Sequence, residues 1–238
     1  MRGAMEGGPA LLLLPGLLCD ARLWRDQTAS LSGICRPVVA DLTGDATIAA
    51  MAERALSVLP DGEPFALAGL SMGGYVAFEI LRRAPGRVLR LALFDTSARP
   101  DTEEQRRRRG GLIALSQTGQ FRGVTPRLLP QLLHPTRLGS PLAGEVLEMA
   151  DRVGRDAFLR QQEAIMGRPD SRPDLPAIQV PTLVAVGAED VLTPPELAEE
   201  IAAGIPGARL ARIPGCGHLP TMEDPAAATA LMRTWLEG

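Results

Sequence analysis

The sequence predicts an α/β fold: a mostly parallel sheet of about six strands flanked by helices, with an α-helical insertion. Three observations predict it. Short continuous apolar runs, the pattern of strands buried on both faces, alternate with stretches whose apolar residues recur at helical spacing. One such run, Phe65 to Leu70, passes through Gly69-Leu70-Ser71-Met72-Gly73 into a helical pattern, as a sharp strand-to-helix turn requires. Between residues 99 and 176 the strand pattern stops, and helical stretches are broken by Gly119, Pro126, Pro130, Pro135 and Pro141. The core therefore comprises residues 1–98 and 177–238, and the insertion residues 99–176.

Taken in order, Met1 to Pro9 reads as a short disordered lead, and Ala10 to Leu14 as a buried strand ended by Pro15-Gly16. Ala21 to Leu31 reads as a short helix burying Leu23, Trp24 and Leu31, and Pro37 to Ala40 as a second strand. Thr47 is placed to cap a helix carrying Ile48, Met51, Ala52, Ala55, Leu56 and Leu59. The helix after Ser71 runs to about Ala84, where Pro85 stops it. Val88 to Phe94 and, beyond the insertion, Val180 to Val186 read as strands. Thr193-Pro194-Pro195-Glu196 resembles a capping box with proline at the first helical position. Ala208 to Ile213 is the last strand, and Asp224-Pro225 opens a final helix reaching Trp235.

At 238 residues the chain has the size of one α/β domain with room for an insertion. A net charge of −3 gives no reason to expect nucleic acid or an anionic membrane as partner. The apolar run Leu11 to Leu14 is too short to span a bilayer and lacks the flanks of a signal peptide. The three cysteines have no metal-like spacing and read as free thiols in a reducing cytoplasm. With only His134 and His218, a histidine-rich metal site is not available.

In an open parallel sheet, ligands bind beyond the carboxyl ends of the strands. Pro15-Gly16-Leu17, Ser71, Asp95, Asp190 and His218 all fall there. A serine hydroxyl needs a base within hydrogen-bond reach, and the base needs a partner that fixes its tautomer. His218, in the glycine-rich loop after the last strand, is the favoured base; His134, in the insertion, is the alternative. Asp190, just past the penultimate strand, is the favoured acid because the order Ser, Asp, His then follows. Asp95, at the end of the strand before the insertion, is the competing acid. An oxyanion needs two N–H donors in place before reaction. Met72 at the start of its helix can supply one, and the loop after the first strand the other, from Leu17.

Leu14-Pro15-Gly16-Leu17-Leu18, Gly69-Leu70-Ser71-Met72-Gly73, Gly187-Ala188-Glu189-Asp190 and Gly215-Cys216-Gly217-His218 together resemble the α/β-hydrolase superfamily over nearly the whole chain. Within it, the sequence is similar to small esterases, enol-lactone hydrolases and the methyl esterase of biotin synthesis. The resemblance implies a Ser71–His218–Asp190 triad, an acyl-serine intermediate released by water, no cofactor or metal, and a small ester or lactone as substrate. It also implies that the insertion is a lid. Three departures stand out. Pro15-Gly16 replaces the His-Gly of many relatives, the chain starts at what would be the family's third strand, and serine rather than aspartate holds the nucleophile position. The competing functions are a lyase using the same triad for proton abstraction and a non-catalytic binding protein.

In the insertion, Asp101 to Arg109 reads as a charged helix whose four consecutive arginines point around its axis, most of them into solvent. Arg168-Pro169-Asp170-Ser171-Arg172 reads as a turn with a local ion pair; the alternative gives Arg168 a substrate carboxylate at the pocket mouth. Trp24 is the aromatic expected near the pocket. Cys19 and Cys216 are expected near the site but not as nucleophiles.

Overall fold

The computed structural model describes residues 8–120 and 123–238. Residues 1–7, most of the expected lead, lie outside that range. Among the described residues six strands form one sheet: β1 (Ala10–Leu14), β2 (Arg36–Val39), β3 (Phe65–Leu70), β4 (Val88–Phe94), β5 (Thr182–Gly187) and β6 (Arg209–Ile213). Their spatial order is β2-β1-β3-β4-β5-β6, and every neighbouring pair is parallel. The helices are α1 (Arg25–Leu31), α2 (Ile48–Ser57), α3 (Met72–Arg83), α4 (Glu103–Leu115), α5 (Leu129–Leu132), α6 (Pro141–Met166), α7 (Pro195–Gly204), α8 (Pro220–Glu223) and α9 (Pro225–Glu237). Helices α4, α5 and α6 fall between β4 and β5. None of the described helices is long and apolar enough to cross a membrane.

The inner strands β1 and β3 are apolar at every position because both of their faces are covered. Every residue of β1, β3 and β5 is buried. Successive side chains go to opposite faces. Leu11 and Leu13 join a core with Leu31, Met232 and Trp235, from α1 and α9. Leu12 and Leu14 join another with Met51, Val76 and Ile201, from α2, α3 and α7. Each fully buried leucine contributes roughly 1.5–3 kcal/mol relative to exposure. Helix α6 changes direction at Gly154 (φ 79°, ψ 176°). Its first half packs Val146 and Met149 into one core, and its second half packs Ala164 and Ile165 into the other.

Boundaries depart from the sequence expectation where proline intervenes. β5 starts at Thr182, not Val180, because Pro181 has no N–H to donate. The Pro181 carbonyl instead accepts from Leu91 N and Trp235 Nε1. Pro37 is tolerated because β2 is an edge strand. The expected helix over residues 21–31 divides into a 3₁₀ turn, Ala21–Trp24, followed by α1. The capping box expected at Thr193 to Glu196 is not formed: Pro194 precedes α7 without a side-chain cap. Thr193 spends its hydroxyl on Asp190 instead.

The chain winds from β1 outward to β2, then returns to β3 on the other side of β1. The loops after β1 and β3 therefore part at the carboxyl edge of the sheet, which opens a crevice there. The register pairs Leu14 with Gly69, which sets Gly16 beside Leu70 and Ser71.

Candidate active site

Ser71 occupies the turn between β3 and α3 with φ 55° and ψ −116°. A non-glycine residue held there costs of order 1–3 kcal/mol, so the surroundings must over-determine it. Its N–H donates to Phe94 O (2.9 Å), and its carbonyl accepts from Gly74 N (2.9 Å) and from the Thr96 hydroxyl (2.7 Å). Close packing requires the flanking glycines. A Cβ on Gly69 would lie 2.4 Å from Gly73 O, and one on Gly73 would lie 2.1 Å from Leu14 O.

His218 and Asp190 arrive from the loops after β6 and β5. His218 Nε2 lies 2.9 Å from Ser71 Oγ, and Nδ1 lies 2.8 Å from Asp190 Oδ2. Asp190 is buried, and burial alone would push its carboxyl up. The charge His218 carries when protonated and its hydrogen bond, with the hydrogen bonds of the Thr193 hydroxyl and Leu192 N–H, outweigh burial and hold it below the ordinary value of 3.8. An ionised carboxylate only accepts, so Nδ1 carries the hydrogen and Nε2 is free to accept from the Ser71 hydroxyl. Thr193 Oγ1 donates to Asp190 Oδ2 at 2.6 Å, and the N–H groups of Leu192 and Thr193 serve Oδ1 at 2.8 and 3.2 Å.

The histidine loop is braced from below by Glu223. Its carboxylate accepts from the N–H groups on either side of His218, Gly217 (2.8 Å) and Leu219 (3.3 Å), and from His134 N (2.6 Å). His218 N itself donates to Leu132 O at 2.9 Å. His134 thus contributes backbone to the brace, while its ring is engaged with Thr136. The ring that meets Ser71 belongs to His218.

Asp95 (φ 44°) is buried at the end of β4. Its Oδ1 accepts from Gly187 N at 2.8 Å, and its Oδ2 accepts no hydrogen bond from an N–H or hydroxyl donor among the described residues. Burial, and next the charge of Asp190, push its carboxyl well above 3.8. Asp95, Asp190 and His218 form the cluster of metal-ligand types among the described residues, with atoms within 4.8 Å of one another. Its members are already committed to each other, since His218 Nδ1 and Asp190 Oδ2 are directly bonded.

The N–H groups of Leu17 and Met72 have no acceptor among the described residues. The next residue, Leu18, is held at φ 57° with its N–H given to Gln161 Oε1 (3.0 Å). Gln161 is fully buried on α6, and its Nε2 donates to Leu42 O at 3.1 Å. A single amide thus ties the loop after β1 to the segment after β2. Gln161, Glu223 and the Thr193–Asp190 bond were not anticipated. Gln161 did leave a signal. It falls on the stripe of Ala157, Phe158, Ala164 and Ile165, and a polar group on a buried stripe must find partners.

Ser71 and His218 open into a cavity of about 840 Å³. Leu112, Val124, Leu128, Met149 and Phe158 give part of it an apolar wall. Among the described residues its Phe, Tyr and Trp lining is Tyr75 and Phe158, which corrects the placement of Trp24. Trp24 lies in the core, edge-on to Phe94 with centroids 5.8 Å apart. Met72 and Cys216 are fully buried, whereas Met149 and Cys19 reach the cavity. All three cysteines are free. Burial pushes the thiols of Cys19 and Cys216 up to about 12, out of nucleophile range at neutral pH.

The local ion pair expected over residues 168–172 joins Arg172 to Asp170. Arg168 is buried and pairs with Asp101. Of the four consecutive arginines, Arg106, Arg107 and Arg108 are exposed and Arg109 is half-buried; Arg108 and Arg109 line the cavity.

A serine on a left-handed strand-to-helix turn, followed along the chain by an aspartate and then a histidine on later strand ends, is the arrangement of the α/β-hydrolase class. Residues 11–230 match the model of the Alpha/beta hydrolase family, and the chain belongs to it. A pimeloyl-[acyl-carrier protein] methyl ester esterase of Neisseria meningitidis is 30% identical over 180 residues, spanning 74% of this chain and 70% of that protein. A thermophilic esterase from Thermogutta terrifontis superposes with a TM-score of 0.88 at 32% identity, over 97% of this chain and 90% of the other. The enol-lactonase from Burkholderia xenovorans gives 0.87 at 25% identity, over 100% and 94%.

Proposed function

We propose that the protein is a serine hydrolase of small carboxylic esters or lactones, working through an acyl-serine intermediate. The observation that carries this reading is the unbroken hydrogen-bonded line from Ser71 Oγ through the His218 ring to Asp190 Oδ2. His218 Nε2 takes the hydroxyl proton as Ser71 Oγ attacks the ester carbonyl, and Asp190 stabilises the imidazolium that results. The carbonyl oxygen becomes an oxyanion between the N–H groups of Leu17 and Met72, and losing one such donor costs roughly 10²–10³ in rate. His218 then returns the proton to the departing alkoxide, leaving the acyl group on Ser71. Water, deprotonated by the same imidazole, releases the acid. For a lactone, acid and alcohol leave as one hydroxy or keto acid. Helices α4 to α6 cover the site as a lid. The esterase and lactonase relatives support the same substrate class.

The test is acyl-enzyme trapping. A fluorophosphonate should label Ser71 stoichiometrically, and p-nitrophenyl acetate should give a burst equal to the enzyme concentration. Ser71→Ala should lose label and turnover with an unchanged far-UV CD spectrum. Turnover retained in Ser71→Ala would show that the nucleophile is misassigned. Loss of Ser71-dependent chemistry on every ester and lactone, with proton abstraction intact, would identify a lyase.

A further inference from the structure

The cavity beyond Ser71 is electrically lopsided. Arg99, Arg108, Arg109 and Arg168 line it, against one lining carboxylate among the described residues, the solvent-exposed Glu196. Acids behind the wall cancel part of this charge. Arg99 is matched by Glu200 in a two-point pair, 2.9 Å at each contact. Arg109 and Arg168 instead divide one carboxylate: Arg109 Nε donates to Asp101 Oδ2 at 2.8 Å, and Arg168 Nη1 to Asp101 Oδ1 at 2.5 Å. Among the described residues, Arg108 meets the neutral Gln131, at 2.9 Å, and no carboxylate. The wall therefore holds two cations beyond the acids paired with it, one in the Asp101 trio and one on Arg108.

Arg168 is the most constrained of the four. Its side chain is only 5% exposed. Nε donates to Arg99 O at 2.9 Å, and Nη1 also reaches Ile165 O at 3.1 Å. Its guanidinium lies 4.4 Å over the ring of Tyr75, which sits one turn along α3 from Ser71. The Nη2 groups of Arg168 and Arg109 have no acceptor among the described residues. A buried guanidinium that only half owns its counter-ion attracts an anion strongly, because little water screens it. A carboxylate fits this setting, with one charge to answer the surplus of the trio and two oxygens to accept from guanidinium edges. The apolar wall of Leu112, Val124 and Leu128 suits an aliphatic spacer.

We propose that Arg168 and Arg109, joined through Asp101 and assisted by Arg108, form a carboxylate subsite. The preferred substrates are then half-esters of dicarboxylic acids, or lactones bearing a free carboxylate remote from the reacting carbonyl. This rests on the hydrolase reading of the same cavity and adds the substrate's charge to it.

The test separates binding from turnover. Ser71→Ala protein is titrated calorimetrically with the monomethyl esters of succinate, glutarate and adipate, and with the matching neutral dimethyl esters. At least one half-ester should bind ten-fold or more tightly than its diester at low salt. Arg168→Met in that background should erase the difference. Because that change leaves the buried Asp101 Oδ1 without its donor and can impair folding, Arg108→Gln on the exposed helix face is the second variant, and it should reduce the difference at least three-fold. In the Ser71 enzyme, the preference should appear in KM with kcat little changed. Equal binding of half-esters and diesters overturns the subsite. Brisk hydrolysis without any charge preference overturns the subsite and leaves the hydrolase intact. Tight half-ester binding with no hydrolysis of any ester keeps the subsite and rejects the hydrolase.

Discussion

Asp95 and Asp190 bring two carboxyl groups behind one histidine, with oxygens and a ring nitrogen of His218 all within 4.8 Å. The two are not equivalent. Asp190 collects the His218 Nδ1 hydrogen, the Thr193 hydroxyl and two backbone N–H groups, and is held low. Among the described residues Asp95 has a single N–H donor, from Gly187, and an oxygen that accepts from no N–H or hydroxyl, and is held high. Two ionised carboxylates packed so closely repel, and the one with more hydrogen-bond donors keeps the charge.

This difference predicts unequal mutants. Asp190→Asn should lower kcat about 10⁴-fold, since the amide favours the wrong imidazole tautomer. Asp95→Asn should lower it less than about ten-fold, because an amide still accepts from Gly187 and mimics a neutral carboxyl. Steady-state kinetics on one ester decide the matter. Greater damage from Asp95→Asn would mean that Asp95 serves the histidine.

Asp95 also links stability to pH. Its folded-state value lies above the ordinary 3.8, so its favourable contribution is complete below that pH and is lost as pH rises toward the folded value. At neutral pH the buried acid therefore opposes folding, and Asp95→Asn should raise the urea midpoint. The gain should shrink as pH falls toward 3.8 and vanish below it. Urea titrations of both proteins at several pH values measure it, and a gain independent of pH would remove Asp95 as its source.

Gln161 holds the loop that carries the Leu17 N–H without touching the nucleophile. Gln161→Leu should lower kcat by roughly 10–100-fold, less than outright loss of a donor. It should also destabilise the fold by about 1–3 kcal/mol, because the buried Leu18 N–H loses its acceptor. Gln161→Glu restores an acceptor for Leu18 and should recover part of kcat. Unchanged kcat in a destabilised Gln161→Leu protein would reduce Gln161 to a packing role.

The amino-acid order by itself determined the sheet and the elbow. Runs such as Leu11 to Leu14 and Ala66 to Leu70 are apolar at every position, which only a strand covered on both faces sustains. Gly69 precedes Ser71 for a reason that acts within a few residues: the end of the strand passes directly against the Gly73 backbone at the start of the helix. Signals of that range are written in the local sequence. Partner choice among polar side chains is not, because it depends on which segments the folded chain brings together. Asp95 and Asp190 both lie just past strand ends, and their surroundings followed from β4 and β5 being neighbours. Thr193, which resembles a helix cap, turned to Asp190 three residues back. Arg168 found Asp101 at a separation of 67 residues, and Gln161 found Leu18 at 143. Hydrogen bonds and ion pairs require contact to within a fraction of an ångström, and only the packed tertiary structure sets distances that finely.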